Sequence, residues 1–283
     1  MTMPSRIRSF VQVDVFSTSP YRGNPVAVVL DGAGLTDEQM QLVARWTNLS
    51  ETTFVLPPTV PAADYRLRIL TPDGELPFAG HPTLGSACAW LDGGGVPRHA
   101  DRIVQECGAG LVTVRRGDGV LSFAAPPLVR DGALDDGYLE RIVAAFGIGR
   151  DRVLAHQWVD NGPGWAVLRL ATAAEVLALE PDLSRIPDAM VGAIGAYPDG
   201  SPYDFEMRTF APRCNVPEDP ACGSMNAAVG QWLTGTGAAP AAYRVSQGAR
   251  VGRAATIEVT ADADGTVWVS GATTVCIRGT IAV

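Results

Sequence analysis

The sequence contains no lysine; all 22 of its basic residues are arginine. That absence removes whole classes of chemistry. No side-chain amine is present to form a Schiff base with pyridoxal phosphate or a carbonyl substrate. No Gly-Lys-Ser/Thr loop is present to cradle a nucleotide phosphate. The basic residues are also outnumbered by 30 Asp plus Glu, which gives a formal net charge of −8. With no basic run to offset it, that balance disfavours nucleic acid and anionic membranes as partners. Long apolar runs are missing as well: no window approaches 18 uninterrupted apolar residues, so no membrane-spanning helix is expected. Met1 to Phe10 is too polar for a secretory signal. Histidine is scarce, with only His81, His99 and His156, and these lie far in sequence from the five cysteines, which form no CxxC pair. A zinc site and a disulfide framework are therefore unsupported, and no metal is expected. The expectation is a soluble, cytoplasmic, globular protein.

What is present is a chain of 283 residues, 47% hydrophobic, long enough for one large core or two ordinary ones. Val11 to Phe16 alternates at period two and Pro25 to Leu30 is a continuous apolar run, so both read as strands around the turn-rich Ser19-Pro-Tyr-Arg-Gly-Asn24. Thr36 with Gln39 three residues later is a capping-box pattern; Met40, Val43, Ala44 and Thr47 then mark one helix face and Asn48 closes it. Strands follow at Thr52–Leu56 and Tyr65–Leu70, a helix at His81–Leu91, and strands around Ile103, Val112–Val114 and Leu121–Phe123. Ala124-Ala-Pro-Pro127 reads as a linker, which divides the chain into lobes at 1–126 and 127–283, with terminal strands free to cross over. Beyond it the pattern predicts helices at Asp136–Phe146, at Ala173–Leu179 and after Pro220. Strands are expected near Val153–Val159, Ala166–Leu170 and Asp204–Phe210, and finally at Ala255–Val259, Val267–Val269 and Val275–Ile281. The mix is α+β, with mainly antiparallel or mixed sheets wrapped on helices.

A repeat lies inside this pattern. Glu75-Leu-Pro-Phe-Ala-Gly80 and Glu218-Asp-Pro-Ala-Cys-Gly223 share the spacing Glu-x-Pro-x-x-Gly at an offset of 143 residues. Each is preceded by a similar stretch, Arg68-Ile-Leu-Thr-Pro72 and Arg208-Thr-Phe-Ala-Pro212, and each is followed by a small-residue helix. The reading is two similar lobes related by a pseudo-twofold.

A glycine in the first helical turn leaves backbone N–H groups at the positive end of the macrodipole, which suits a small carboxylate. The same spacing is equally compatible with Gly80 and Gly223 simply permitting close helix–sheet packing. Glu51, at the mouth of a strand, is a candidate general base or a solvated loop carboxylate. His81, in the first turn of its helix, is pushed toward its neutral form and suited to exchange a proton; a packing role is the alternative. Asp219 also fits a plain helix-N-terminal carboxylate. Cys222 sits at a helix N-terminus, where a lowered thiol pKa is expected. Its repeat partner is Ala79, which counts against a two-thiol racemase.

Together these blocks resemble a known family. Asp14-Val-Phe16, Gly23-Asn-Pro-Val-Ala-Val28, Ser50-Glu-Thr-Thr-Phe54, Phe78-Ala-Gly-His-Pro-Thr-Leu-Gly85, Glu218-Asp-Pro-Ala-Cys-Gly-Ser224 and Gln247-Gly248 are similar, in order, to the PhzF-like (phenazine biosynthesis) isomerases. The resemblance implies the diaminopimelate epimerase-like fold, two lobes each with a curved mixed sheet or open barrel around a central helix, and a site between them. It implies a homodimer, no metal or organic cofactor, and a small carboxylate substrate. It also implies a proton shift on trans-2,3-dihydro-3-hydroxyanthranilate or a related intermediate of antibiotic biosynthesis. By this resemblance Glu51 would be the general acid/base, with a raised pKa, and His81 and Asp219 would position and assist. Ser50, Gly80, Cys222, Gly223 and Ser224 would hold the substrate. The chain departs from the family pattern in having Cys222, then Met225-Asn226, where a Thr and small residues are common. Two other functions stay open at this stage. One is an amino-acid racemase or epimerase using Cys222, which needs that thiol for proton exchange; the other is a carboxylate-binding protein without proton exchange.

Overall fold

The computed structural model of the chain describes residues 6–117 and 119–283, and its first strands form where the sequence alternates. β1 (Ile7–Val15) and β2 (Asn24–Val29) pair antiparallel. α1 (Asp37–Thr47) begins at the expected capping box: the Thr36 hydroxyl accepts from Gln39 N, and the Gln39 side-chain oxygen accepts from Thr36 N. It stops at Asn48, whose φ of 53° lies in the left-handed region that asparagine tolerates. Met40 and Ala44 turn inward to join Val29, Phe54 and Leu70. β3 (Thr52–Leu56) lies parallel to β2, β4 (Tyr65–Leu70) antiparallel to β3, and the short β5 (Glu75–Leu76) antiparallel to β4. After α2 (Gly80–Asp92), β6 (Arg102–Cys107) returns parallel to β4; β7 (Gly110–Gly117) and β8 (Val120–Ala124) complete the run as antiparallel neighbours.

α2 is the middle of this unit. It packs on β1, β2, β3, β4, β7 and β8, and every residue from Gly80 to Ala87 is buried. A helix buried on all faces needs small residues where strands come close. Gly85 shows this need, because a Cβ there would stand 2.3 Å from Val26 Cγ1.

The second unit repeats the plan. After α3 (Asp136–Phe146), β9 (Ala155–Trp158) pairs antiparallel with β10 (Ala166–Thr172). The short α4 (Ala173–Leu177) leads to β11 (Val191–Ala196), parallel to β10, and then to the antiparallel β12 (Phe205–Ala211) and β13 (Val216–Asp219). α5 (Gly223–Gly235) precedes β14 (Ala242–Gln247), which is parallel to β12, and β15 (Ala255–Ala261) pairs antiparallel with β14. The order β2, α1, β3, β4, β5, α2, β6, β7 is thus matched by β10, α4, β11, β12, β13, α5, β14, β15, with the same parallel and antiparallel pairings at each step. α5 is buried like α2: Gly230 lets Val259 and Val267 approach, and Met225 fills the space beside Gly192.

The second unit ends within β16 (Val267–Gly271), and β17 (Thr273–Ala282) pairs antiparallel along β1. The two compact units are 125–269 and 6–124 with 270–283, so the last strand crosses over to the first unit and the second unit stops at 269 instead of 283. The expected helix at Ala173–Leu179 is only Ala173–Leu177, and the strand near Val153–Val159 contracts to Ala155–Trp158. β11 and β14 lie outside the strands expected from the sequence. Among the described residues, no helix is long and apolar enough to cross a membrane.

Candidate active site

In the first unit the site is built from the β1–β2 connection upward. Asp14 is buried, and its Oδ2 accepts the backbone N–H of Arg22 and of Gly23, each at 2.8 Å. Gly23 is obligatory, since a Cβ there would stand 2.0 Å from the Val15 carbonyl oxygen. This folded-back loop delivers Asn24 to the start of β2, where its side-chain Nδ2 lies 3.3 Å from His81 Nδ1. His81 occupies the first turn of α2, and its other ring nitrogen, Nε2, lies 3.2 Å from Glu51 Oε2. Glu51 immediately precedes β3; its side chain is 14% exposed and that of His81 only 6%. Burial pushes the His81 pKa down to about 3, opposed by a hydrogen bond with the Pro25 carbonyl. At neutral pH the contact is therefore a neutral imidazole against a carboxyl group, not an ion pair. Ser50 precedes Glu51 and is half-buried. Gly80 does serve close packing, because a Cβ would meet the Phe123 ring at 2.4 Å.

In the second unit, Asp219 ends β13 and its Oδ1 accepts from Ala221 N at 3.0 Å. Cys222 is the N-cap of α5 and is buried; its Sγ lies 3.5 Å from Ser224 Oγ. The thiol corrects the sequence expectation. Burial first, and then the Asp219 carboxylate, push it well above the ordinary thiol value. Desolvation outweighs the helix dipole, so Cys222 is held protonated. Gln247 fixes this entrance. Its Oε1 accepts from Cys222 N (3.2 Å) and Asn226 Nδ2 (3.0 Å), while its Nε2 donates to the Asp219 carbonyl (3.0 Å) and Thr209 Oγ1 (3.2 Å). Ser224 is held from the β9–β10 loop: Trp165 Nε1 donates to its Oγ at 3.0 Å and Asn161 Nδ2 to its carbonyl at 2.9 Å.

The structure thus brings Glu51 and His81 together in one unit, and Asp219, Cys222, Gly223 and Ser224 together in the other. Asn24 and Gln247 lie inside the quoted motifs without a role assigned by sequence. Asn161 and Trp165 escaped notice, although a Trp that closes the loop Asn161-Gly-Pro-Gly-Trp165 at the foot of a strand is a usable signal.

The helix N-termini divide into two kinds. α1, α3 and α4 are capped by Thr36, Asp135 and Thr172 and carry acidic residues in their first turns. α2 and α5 have no side-chain cap, their N-caps being Ala79 and Cys222, and no acidic residue in the first turn. Capping is worth about 1 kcal/mol, so its omission at these two helices leaves N–H groups and dipole for an anion.

With this geometry in view, the comparisons with known proteins agree. The family described as phenazine biosynthesis-like protein (PhzC-PhzF) matches residues 13–281, and the chain belongs to it. The protein named antisense-enhancing sequence 1 of Schizosaccharomyces pombe is 38% identical over 96% of this chain and 97% of its own. The trans-2,3-dihydro-3-hydroxyanthranilate isomerase of Pseudomonas aeruginosa is 36% identical over 76% of each chain. The crystal structure of a PhzF-family phenazine biosynthesis protein from Bacillus anthracis superposes with a TM-score of 0.83 at 21% identity, covering 98% of this chain and 100% of that one. The fold is that of the PhzF family.

Proposed function

We propose that this PhzF-type isomerase moves a proton on a small carboxylate-bearing substrate, trans-2,3-dihydro-3-hydroxyanthranilate or a close relative, with Glu51 as the general acid/base. The observation that carries the reading is the contact of a buried Glu51 carboxyl with an imidazole held neutral. A neutral ring neither locks the carboxylate in a strong ion pair nor competes for its charge. Glu51 is left able to take a proton from one ring carbon and return it to another as the conjugated electron pair shifts. His81 orients Glu51. Asp219 positions the substrate. The uncapped amides of Gly80, Gly223 and Ser224 hold the carboxylate and the charge that develops in the transition state. Ser50 and Cys222 line the site. Racemisation with Cys222 as the base that removes the proton draws no support from a thiol held protonated.

The test is proton NMR of that substrate with the protein in D2O, beside a Glu51→Gln variant. Deuterium incorporation with isomerisation in the wild type alone supports the reading. Equal turnover by the variant rejects Glu51 as the acid/base, and no turnover by the wild type rejects this substrate.

A further inference from the structure

Both units fold a loop back just before a repeated strand, and the strand registers align the two loops residue by residue. The repeat arginines fix the frame: Arg68 faces Phe54 across β3–β4, and Arg208 faces Ala193 across β11–β12. From there Thr52 matches Val191, Ala27 matches Ala166, and Gln12 matches Trp158. Two residues past Gln12 and Trp158 stand Asp14 and Asp160; four residues before Ala27 and Ala166 stand Gly23 and Gly162. The same bond joins each pair: Gly23 N donates to Asp14 Oδ2 and Gly162 N to Asp160 Oδ1, both at 2.8 Å. Donor and acceptor are nine residues apart in the first unit and two in the second. The tighter loop needs glycine, with φ of 130° at Gly162 and 90° at Gly164. Gly164 N also donates to Asp160 Oδ1, at 2.6 Å, and Arg213 donates to the Pro163 carbonyl.

Each loop reaches the residue that follows the motif glycine. The first brings Asn24 Nδ2 within 3.3 Å of His81 Nδ1. The second grips Ser224 twice, Trp165 Nε1 donating to its Oγ at 3.0 Å and Asn161 Nδ2 to its carbonyl at 2.9 Å. We propose that the β9–β10 loop is the second unit's counterpart of the β1–β2 loop, and that Trp165 and Asn161 are positioning residues for Ser224 as Asn24 is for His81. The proposal rests on the reading that Ser224 holds the substrate carboxylate. An indole N–H can only donate, so the Ser224 hydroxyl accepts from Trp165 and its own proton faces away from the ring. The ring itself is buried, 3% exposed, and gives the bond a fixed base. Asn161 holds the first turn of α5 from the carbonyl side. A helix entrance without a side-chain cap is thereby kept in shape for a ligand by residues that do not fill it.

One measurement needs no ligand. The indole N–H resonance of Trp165, identified among six tryptophans by its loss in Trp165→Phe, reports the bond to Ser224. Ser224→Ala should shift it upfield and speed its exchange with solvent. Asp160→Ala, which removes the acceptor that folds the loop, should do the same. A resonance that either substitution leaves in place overturns the proposal. The second measurement is the affinity for benzoate, a small ring carboxylate. Trp165→Phe, which keeps a ring and loses the N–H, and Asn161→Ala should each weaken binding about fivefold, the worth of one buried hydrogen bond. Trp165→Phe should add nothing in a Ser224→Ala background, because the bond is already gone. Wild-type affinity in either variant removes that residue from the positioning role. A Trp165→Phe loss as large without the Ser224 hydroxyl as with it leaves the indole a packing role alone. If the wild type binds no benzoate, the carboxylate reading fails, while the indole resonance still decides whether the loop holds Ser224.

Discussion

The entrances to α2 and α5 share their strand context, their Glu-x-Pro-x-x-Gly spacing and even a clamp. In each, an arginine on the preceding strand grips the motif glutamate through Nε and one terminal nitrogen: Arg68 with Glu75, Arg208 with Glu218. The side chains hung on this shared frame diverge. Where the first unit has Glu51 immediately before β3, the register of the parallel pairs puts Met190 before β11. Met190 is buried, with its sulfur 3.9 Å from Cys214 Sγ. Where α2 has Ala79 and His81, α5 has Cys222 and Ser224. The clamps differ in environment too. Arg208 and Glu218 are 4% and 9% exposed, whereas Glu75 is 43% exposed and Arg68 also meets Asp37. A duplicated scaffold keeps its backbone geometry through the glycine, the proline and the clamp. The copies differ at a few positions, and the candidate residues Glu51, His81, Cys222 and Ser224 are among them.

That comparison can be broken most sharply at Glu51. Replacing it with Gln should cost about 10²–10⁴-fold in kcat, the usual worth of a general acid/base, while far-UV circular dichroism stays unchanged. The clamps come next, compared by urea unfolding. Glu218→Gln strands a buried guanidinium and should cost about 3–5 kcal/mol. Glu75→Gln, at an exposed pair, should cost less than about 1 kcal/mol.

The neutral His81 makes a third test. Its folded pKa, about 3, lies below the ordinary 6.5, so between these values the unfolded chain binds a proton that the folded chain refuses. The resulting stability is complete above pH 6.5 and drains away as pH falls toward 3, by up to about 1.4 kcal/mol per pH unit. Urea midpoints at pH 7, 6 and 5 should show this slope in the wild type and a shallower one in His81→Asn. A further test lies at Ala79. Ala79→Asp supplies the missing cap, should stabilise by about 1 kcal/mol, and should raise KM several-fold by placing a competing carboxylate where the substrate's is to bind.

Much of the frame was legible because its signals are local. The Thr36–Gln39 box, the αL stop at Asn48, the strands Thr52–Leu56 and Tyr65–Leu70 and the helix Asp136–Phe146 all lie where spacing and capping put them. β11 was not legible, because Val191-Gly-Ala-Ile-Gly-Ala196 owes its glycines to neighbours remote in sequence. A Cβ at Gly195 would stand 2.3 Å from the Thr172 carbonyl oxygen, and one at Gly192 would stand 2.9 Å from Met225 Cε. β14, by contrast, carries the period-two signal, with Tyr243, Val245 and Gln247 inward and Arg244 outward, and the signal was passed over. At the site, Glu51 and His81 could be named from motifs, but the Asn24–His81 contact spans 57 residues and Trp165–Ser224 spans 59. Cys222 misled because a helix N-terminus is visible in sequence and desolvation is not.

The return of β17 to β1 has a temporal consequence. Chains are synthesised from the N-terminus, so β1 is made before the second unit and its neighbour β17 after it. The second unit lies wholly inside that interval and can finish folding while the first still lacks a strand. The unit holding Glu51 and His81 is thus begun before the second unit and completed after it, with one edge of β1 open until β17 leaves the ribosome.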